Sequence, residues 1–256
     1  MNRFILKKLM ERKKPINVAI VGCGWWGYRV VKELNRLPNI VPKVLVDKDI
    51  KKCITAYSNI GIKKKEITIV ENLEELKNVP YSQYIAFSNL SLIKNLKNID
   101  VIHEATGDVN AGVQVALNSA EAKINFVTIN CEMDATVGLI LADRAKKMDL
   151  VYSNCDGDQP GCLARMLDDI ISWGFEPKIV GNNKLFLDHY QNPTGIIPYV
   201  PNGQNPLLLC GVADGTKLAM ELTVVANSFC FYPLKRGMYG PRTNKIDFIK
   251  TFDDLL

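Results

Sequence analysis

The sequence predicts an α/β chain: a doubly wound parallel sheet over residues 15–154, then an α+β domain with an open antiparallel sheet over 155–256. Three observations predict it. The apolar run Ile16 to Val21 leads directly into Gly22-Cys23-Gly24-Trp25-Trp26-Gly27, and Val30, Val31, Leu34 and Leu37 recur behind it at helical spacing. Strand-length apolar runs then alternate with helix-length segments as far as Ser153. After Asn154 the pattern changes, with a turn cluster, a long polar loop and two apolar runs flanking Asp214-Gly215.

The elements follow in order. Residues 1–14 mix Phe4, Ile5, Leu6, Leu9 and Met10 with Lys7, Lys8, Lys13 and Lys14, a basic amphipathic leader too broken for a signal peptide. Ile16–Val21 is the first strand and Val41–Val46 the second. Ile67–Val70 is short, and Asp100–Glu104 is a stronger strand ending at Ala105-Thr106-Gly107. A helix over Val109–Ala120, a strand over Phe126–Ile129, a helix over Ala135–Met148 and a last strand over Val151–Ser153 complete the first domain. In the second, Gly157-Asp158-Gln159-Pro160-Gly161 is a turn, Cys162–Trp173 a helix and Ile179–Lys184 a strand. Residues Asn192–Pro206 form a loop, and Leu207–Val212 with Thr216–Val225 form a β-hairpin about the Asp-Gly turn.

Strand, glycine turn and helix in this order are what a dinucleotide-binding βαβ unit of the Rossmann type needs. Gly22 permits a tight turn, Gly24 lets backbone approach a pyrophosphate, and Gly27 lets the helix lie close to the strand. The phosphates would sit on free amides at the helix start, at Trp25 and Trp26, where the helix dipole is positive. About 20 residues further on, Val44-Leu45-Val46 ends in Asp47, which can accept hydrogen bonds from the adenosine ribose. Asp47 points to NAD, while Lys48, Lys51 and Lys52 could neutralise the extra phosphate of NADP, so both stay open.

With 256 residues, 47% of them hydrophobic, the chain can build a large core and two modest domains. A net charge of +5 without a basic tract interleaved with aromatics argues against nucleic acid. No apolar run reaches the roughly 18 residues of a membrane span. Seven scattered cysteines, an odd number with no C-x-x-C pair, fit a reducing compartment, and a cytoplasmic location is expected.

Ligands of open α/β sheets bind at the carboxyl ends of the strands. Thr106 and Gly107 would let the nicotinamide ribose approach, and Asn130 would join them at the next strand end. Glu132 follows at the same end, and Asp134 can cap the helix expected at Ala135. At the third end, Asp158 is a candidate for orienting substrate, with Asp156 beside it. A hydroxyl proton needs an acid/base group: Lys184, at the end of an expected strand, ranks first and Lys217 second. His103 lies in an apolar strand and reads as core, and His189 is a weaker candidate. Arg236 could hold a substrate carboxylate or phosphate. A divalent cation on Glu132, Asp134, Asp156 and Asp158 is possible but not required by any spacing.

Several strings occur together: Val21-Gly22-Cys23-Gly24, His103-Glu104-Ala105-Thr106-Gly107, Asn130-Cys131-Glu132-Met133-Asp134, Asp156-Gly157-Asp158-Gln159-Pro160-Gly161, Leu187-Asp188-His189-Tyr190, Asp214-Gly215-Thr216-Lys217 and Arg236-Gly237-Met238-Tyr239-Gly240-Pro241. With them the chain resembles the homoserine-dehydrogenase-like oxidoreductases that usually end in a SAF domain, a group including deoxyxylulose-phosphate reductoisomerase-like enzymes. The resemblance implies an NAD(P)-dependent oxidoreductase with a Rossmann domain and an α+β catalytic domain. Its substrate would be a small hydroxy or keto molecule, a sugar phosphate in the reductoisomerase-like branch. Two departures stand out: the sequence stops at Leu256, before the usual SAF region, and Asn130 is not followed by the lysine of true homoserine dehydrogenases. The alternative is a non-catalytic NAD(P)-binding accessory protein. A homo-oligomer is expected by analogy.

Overall fold

The structure is a computed structural model that describes residues 3–184 and 187–253. The chain divides into two compact units, Met1–Asn154 and Cys155–Leu256.

The first unit contains α1 (Arg3–Met10), β1 (Ile16–Val21), α2 (Trp25–Leu34), β2 (Ile40–Val46), α3 (Ile50–Asn59), β3 (Ile67–Ile69), α4 (Leu73–Asn78), β4 (Tyr84–Phe87), β5 (Val101–Glu104), α5 (Val109–Glu121), β6 (Asn125–Thr128), α6 (Cys131–Lys147) and β7 (Tyr152–Asn154). The seven strands form one sheet in the order β3-β4-β2-β1-β5-β6-β7, every neighbouring pair parallel. Side chains alternate across it. Val18 and Ile20 of β1 pack with Val31 of α2 and Cys53 and Tyr57 of α3 on one face. Ala19 and Val21 pack with Val115 of α5 and Met133 of α6 on the other. With both faces covered, β1 is apolar at nearly every position. The doubly wound parallel sheet is thus present.

Pro42 lies in β2, where a residue without an N–H cannot complete a ladder. The register with β1 shifts there, Val18 pairing with Pro42 and Ala19 with Val44. The leader helix α1 is tied down at its C-terminal end: Leu9 is buried, and the Asn39 amide donates to the Leu9 and Arg12 carbonyls at 2.8 and 3.2 Å.

The second unit contains α7 (Gln159–Ser172), α8 (Pro206–Asp214), α9 (Thr216–Phe229) and α10 (Phe248–Asp253). Helix α9 packs against both α7 and α8. Among the described residues of this unit there is no strand, which corrects the expected open antiparallel sheet. The two apolar runs around Asp214-Gly215 are helices, not a hairpin. Gly215, at φ +91°, ends α8 and begins α9. Asn205 caps α8 by accepting from the Leu207 amide, and Pro206 occupies the first helical turn, where a missing N–H costs nothing. Ile179–Lys184, expected as a strand, has no regular structure.

Candidate functional site

In the first unit the sheet order reverses at β1, whose neighbours are β2 on one side and β5 on the other. The carboxyl ends of β1 and β5 therefore flank the crevice where open α/β sheets take ligands. Gly22 leaves β1 with φ +92°, and a Cβ there would lie 2.5 Å from the Ala105 carbonyl oxygen and 2.8 Å from the Thr106 nitrogen. A Cβ on Gly27 would lie 1.6 Å from the Gly22 carbonyl oxygen. Both glycines are dictated by close packing inside the protein. Gly24 differs, because a Cβ on it would meet nothing within 4 Å. The fold itself does not require a glycine there, so its bare surface is available to an outside group.

Helix α2 begins at Trp25, and the amides of an α-helix's first turn have no acceptor inside the helix. Trp25 and Trp26 meet edge to face at 4.8 Å between centroids. The Arg29 guanidinium stacks 3.5 Å above the Trp25 ring and donates to the Trp25 carbonyl at 2.7 Å. Trp26 is half exposed.

Asp47 stands at the end of β2 beside the glycine loop. Its Oδ2 accepts from the Cys23 amide at 2.7 Å and its Oδ1 from the Asp49 amide at 2.9 Å. The Cys23 side chain turns the other way, its Sγ 3.6 Å from the Cys53 Sγ. The hydrogen bond with Cys53 and burial push the Cys23 thiol well above the usual range. Lys48, Lys51 and Lys52 are all exposed, and the Lys52 charge reaches Cys23.

Sequence reasoning missed Glu104 as a site residue. It ends β5, is fully buried, and collects donors from three residues at the ends of two neighbouring strands. Its Oε1 accepts from the Thr106 amide at 2.7 Å, the Thr106 hydroxyl at 2.5 Å and the Asn130 amide at 3.5 Å. Its Oε2 accepts from the Thr128 hydroxyl at 2.7 Å. A buried carboxylate is costly unless such donors surround it, so Glu104 ties the ends of β5 and β6 together. Thr106 and Asn130 are thereby held in place. Asn130 is itself buried: its oxygen caps α6 through the Met133 amide, and its nitrogen donates to the Asp108 carbonyl at 3.0 Å. Gly107, at φ +65°, is exposed beside them. The signal in the sequence was a charged residue closing the apolar run Val101-Ile102-His103. His103 is buried, as expected for a core residue, and desolvation lowers its pKa to about 4.

Helix α6 starts at Cys131 rather than Ala135, so Asn130 is its cap and Asp134 is not. Asp134 is buried, accepting from the Tyr152 hydroxyl at 2.9 Å and from the Asn154 amide. Burial raises its carboxyl above the usual range, against the opposing effect of those two donors. Glu132, in the same first turn, is half-buried, with the Cys131 thiol 3.3 Å from its Oε2.

In the second unit, the charges of three of the expected residues act on one that was not expected. Glu221 of α9 is 2% exposed, and its Oε1 lies 3.6 Å from the Lys217 Nζ one turn earlier. Burial raises the Glu221 carboxyl; the Lys217 and Lys184 charges oppose that shift and the Asp158 charge adds to it. Asp158 takes the N-cap position of α7 without capping it through its side chain. Asn182 donates to the Gln159 side chain, bringing the segment that carries Lys184 to the start of α7. Gly161 is required here, since a Cβ would lie 2.4 Å from the Cys155 carbonyl oxygen. Asp156 lies outside this group, exposed and paired with Arg165. Arg236 and His189 are exposed on loops. Among the described residues no group of three His, Cys, Asp or Glu side chains is placed to hold a metal ion. Among the described residues no helix is long and apolar enough to cross a membrane.

Residues 157–255 match a protein-family model described as oxidoreductase DRL, catalytic domain. No curated protein matches the chain. Similar solved structures include an oxidoreductase from Agrobacterium radiobacter in complex with NAD+, L-tartaric acid and magnesium, at 11% identity and TM-score 0.43, covering 63% of this chain and 41% of that one. A scyllo-inositol dehydrogenase from Lactobacillus casei with NAD(H) and scyllo-inositol bound gives 10% identity and TM-score 0.45, covering 63% and 42%. A 3-ketoreductase from Actinomadura kijaniata in complex with TDP-benzene and NADP gives 12% identity and TM-score 0.44, covering 63% and 45%. The chain thus spans less than half the length of these proteins.

Proposed function

We propose that the chain is an NAD(P)-dependent oxidoreductase acting on a small hydroxy or keto substrate. The observation that carries this reading is the glycine loop: Gly22 and Gly27 are bare because the protein packs against them, whereas Gly24 is bare with nothing in the protein against it. A pyrophosphate lying over Gly24 and the first amides of α2 accounts for that difference. The match of residues 157–255 to an oxidoreductase catalytic domain supports the same reading independently.

A bound nicotinamide supplies or accepts the hydride. The chain's own residues do the rest. The amides of Trp25 and Trp26 hold the phosphates, Asp47 receives the adenosine ribose, and Thr106, Gly107 and Asn130 shape the strand ends near the second ribose. Asp47 favours NAD by repelling a 2′-phosphate, while exposed Lys48, Lys51 and Lys52 favour NADP. Lys184 gives or takes the hydroxyl proton, so that oxidising the alcohol leaves a carbonyl and one proton on the lysine. Asp158 and Glu132 orient substrate hydroxyls, and Lys217, Arg236 and Asp156 bind the remainder. The substrate proposed is a sugar phosphate of the reductoisomerase-like kind or a homoserine-like hydroxy acid. A cytoplasmic homo-oligomer completes the proposal.

The test is to mix the chain with NADH or NADPH and a panel of hydroxy acids, keto acids and sugar phosphates, following nicotinamide absorbance. The Lys184→Met variant should lose turnover and keep cofactor binding; full turnover by that variant would remove Lys184 from the chemistry. Cofactor binding with no turnover of any substrate would favour a non-catalytic accessory role.

A further inference from the structure

The Lys217–Glu221 pair is arranged against the interests of its own helix. Lys217 sits in the first turn of α9, where the helix dipole disfavours a cation, and the acid follows four residues later, the weaker order for such a pair. Glu221 is also 2% exposed, and burying a carboxylate costs more than a solvated pair of this kind returns. Asp158 shows the same departure, holding an N-cap position without capping. Groups that break local rules together are characteristic of functional sites.

We propose that Glu221 is a positioning residue: its buried carboxylate pins the Lys217 ammonium, keeping that lysine charged and directed at an oxyanion of the substrate. This rests on the oxidoreductase reading above. Lys217 is 28% exposed at its side chain while Glu221 is 3%, so the lysine bridges a buried anchor and a solvent-reached face. The Lys184 and Asp158 charges act on the same carboxylate. A lysine held in this way binds anionic oxygen as a fixed point charge. The division of labour follows: Lys217 stays cationic and binds, and Lys184 exchanges the proton.

The experiment uses the full chain with its lysines reductively methylated with 13C, the Lys217 signal being identified by its loss in Lys217→Arg. In Glu221→Gln the Lys217 titration midpoint should fall by about one pH unit, a tenfold loss of proton affinity, and Glu221→Asp should restore part of it. An unchanged midpoint would overturn the proposal. Because loss of a buried carboxylate can prevent folding, the reciprocal Lys217→Met variant is made with 13C-labelled glutamate. Its Glu221 carboxyl should titrate at higher pH than in the wild type, and no change there would equally overturn it. NADH binding is measured on the same samples. If the wild type binds no nicotinamide nucleotide, the oxidoreductase reading fails while the lysine titration still decides the Glu221 anchor.

Discussion

The carboxylate of Asp47 holds the amide of Cys23 at 2.7 Å, so the acid at the end of β2 braces the glycine loop that follows β1. The residue expected to meet a ribose is also a structural strut. A hydrogen bond to a charged acceptor contributes about 1.5–3 kcal/mol. Asp47→Ala should therefore weaken NADH binding by at least about tenfold, measured by fluorescence titration of Trp25 and Trp26. Unaltered affinity would detach Asp47 from the site.

Gly27 and Gly24 of the loop should separate by phenotype. Gly27→Ala puts a methyl where a carbonyl oxygen already lies, and a clash of backbone on backbone leaves nothing flexible to yield. It should lower the thermal midpoint steeply or prevent folding. Gly24→Ala should unfold near the wild-type temperature yet lose nucleotide binding. A Gly24→Ala protein that binds normally would show that nothing lies against that residue.

His103 makes folding sensitive to acid. Its pKa falls from 6.5 to about 4 on burial, so the unfolded chain binds the proton more tightly. Its contribution is complete above pH 6.5 and is lost as the pH drops toward 4, about 3 kcal/mol in all. Histidine NMR should give a midpoint near 4. A midpoint near 6.5 would contradict the burial.

Asp134 works in the opposite sense. Its folded carboxyl titrates above the ordinary value of 3.8, so its neutral form is favoured by folding. Stability from this group is present below pH 3.8 and is lost as pH rises through the folded pKa. Asp134→Asn should remove that dependence. It should be tolerated because the Asn154 Oδ1, buried without a hydrogen-bond partner among the described residues, can receive the new amide. Urea midpoints for the two proteins should diverge as pH rises from 3.8; parallel curves would exclude the effect.

How far the sequence could be read depended on which forces its pattern records. In the first unit, local pattern and final packing agree: Ile16–Val21, the glycine turn and α2 could be recognised because each residue's local preference matches its tertiary role. Tyr84–Phe87 escaped notice because four residues are too few for periodicity, and it is a strand only through pairing with β2 and β3. Asp214-Gly215 misled because a glycine with positive φ serves a hairpin and a helix end equally well. The deciding signals were Asn205-Pro206 before it and the helix formers Leu, Ala, Met and Glu after it. For the site, Asp158, Lys184 and Lys217 were named from the sequence, but Glu221 was not, since it lay within a run read as a hairpin strand and its burial on α9 follows only from helix packing.

Calorimetric titration of the folded chain with NADH and NADPH tests the central claim most directly. The account predicts saturable one-to-one binding of at least one of them, abolished by Gly24→Ala in protein that remains folded. Absence of binding of either nucleotide by well-folded wild type would contradict it.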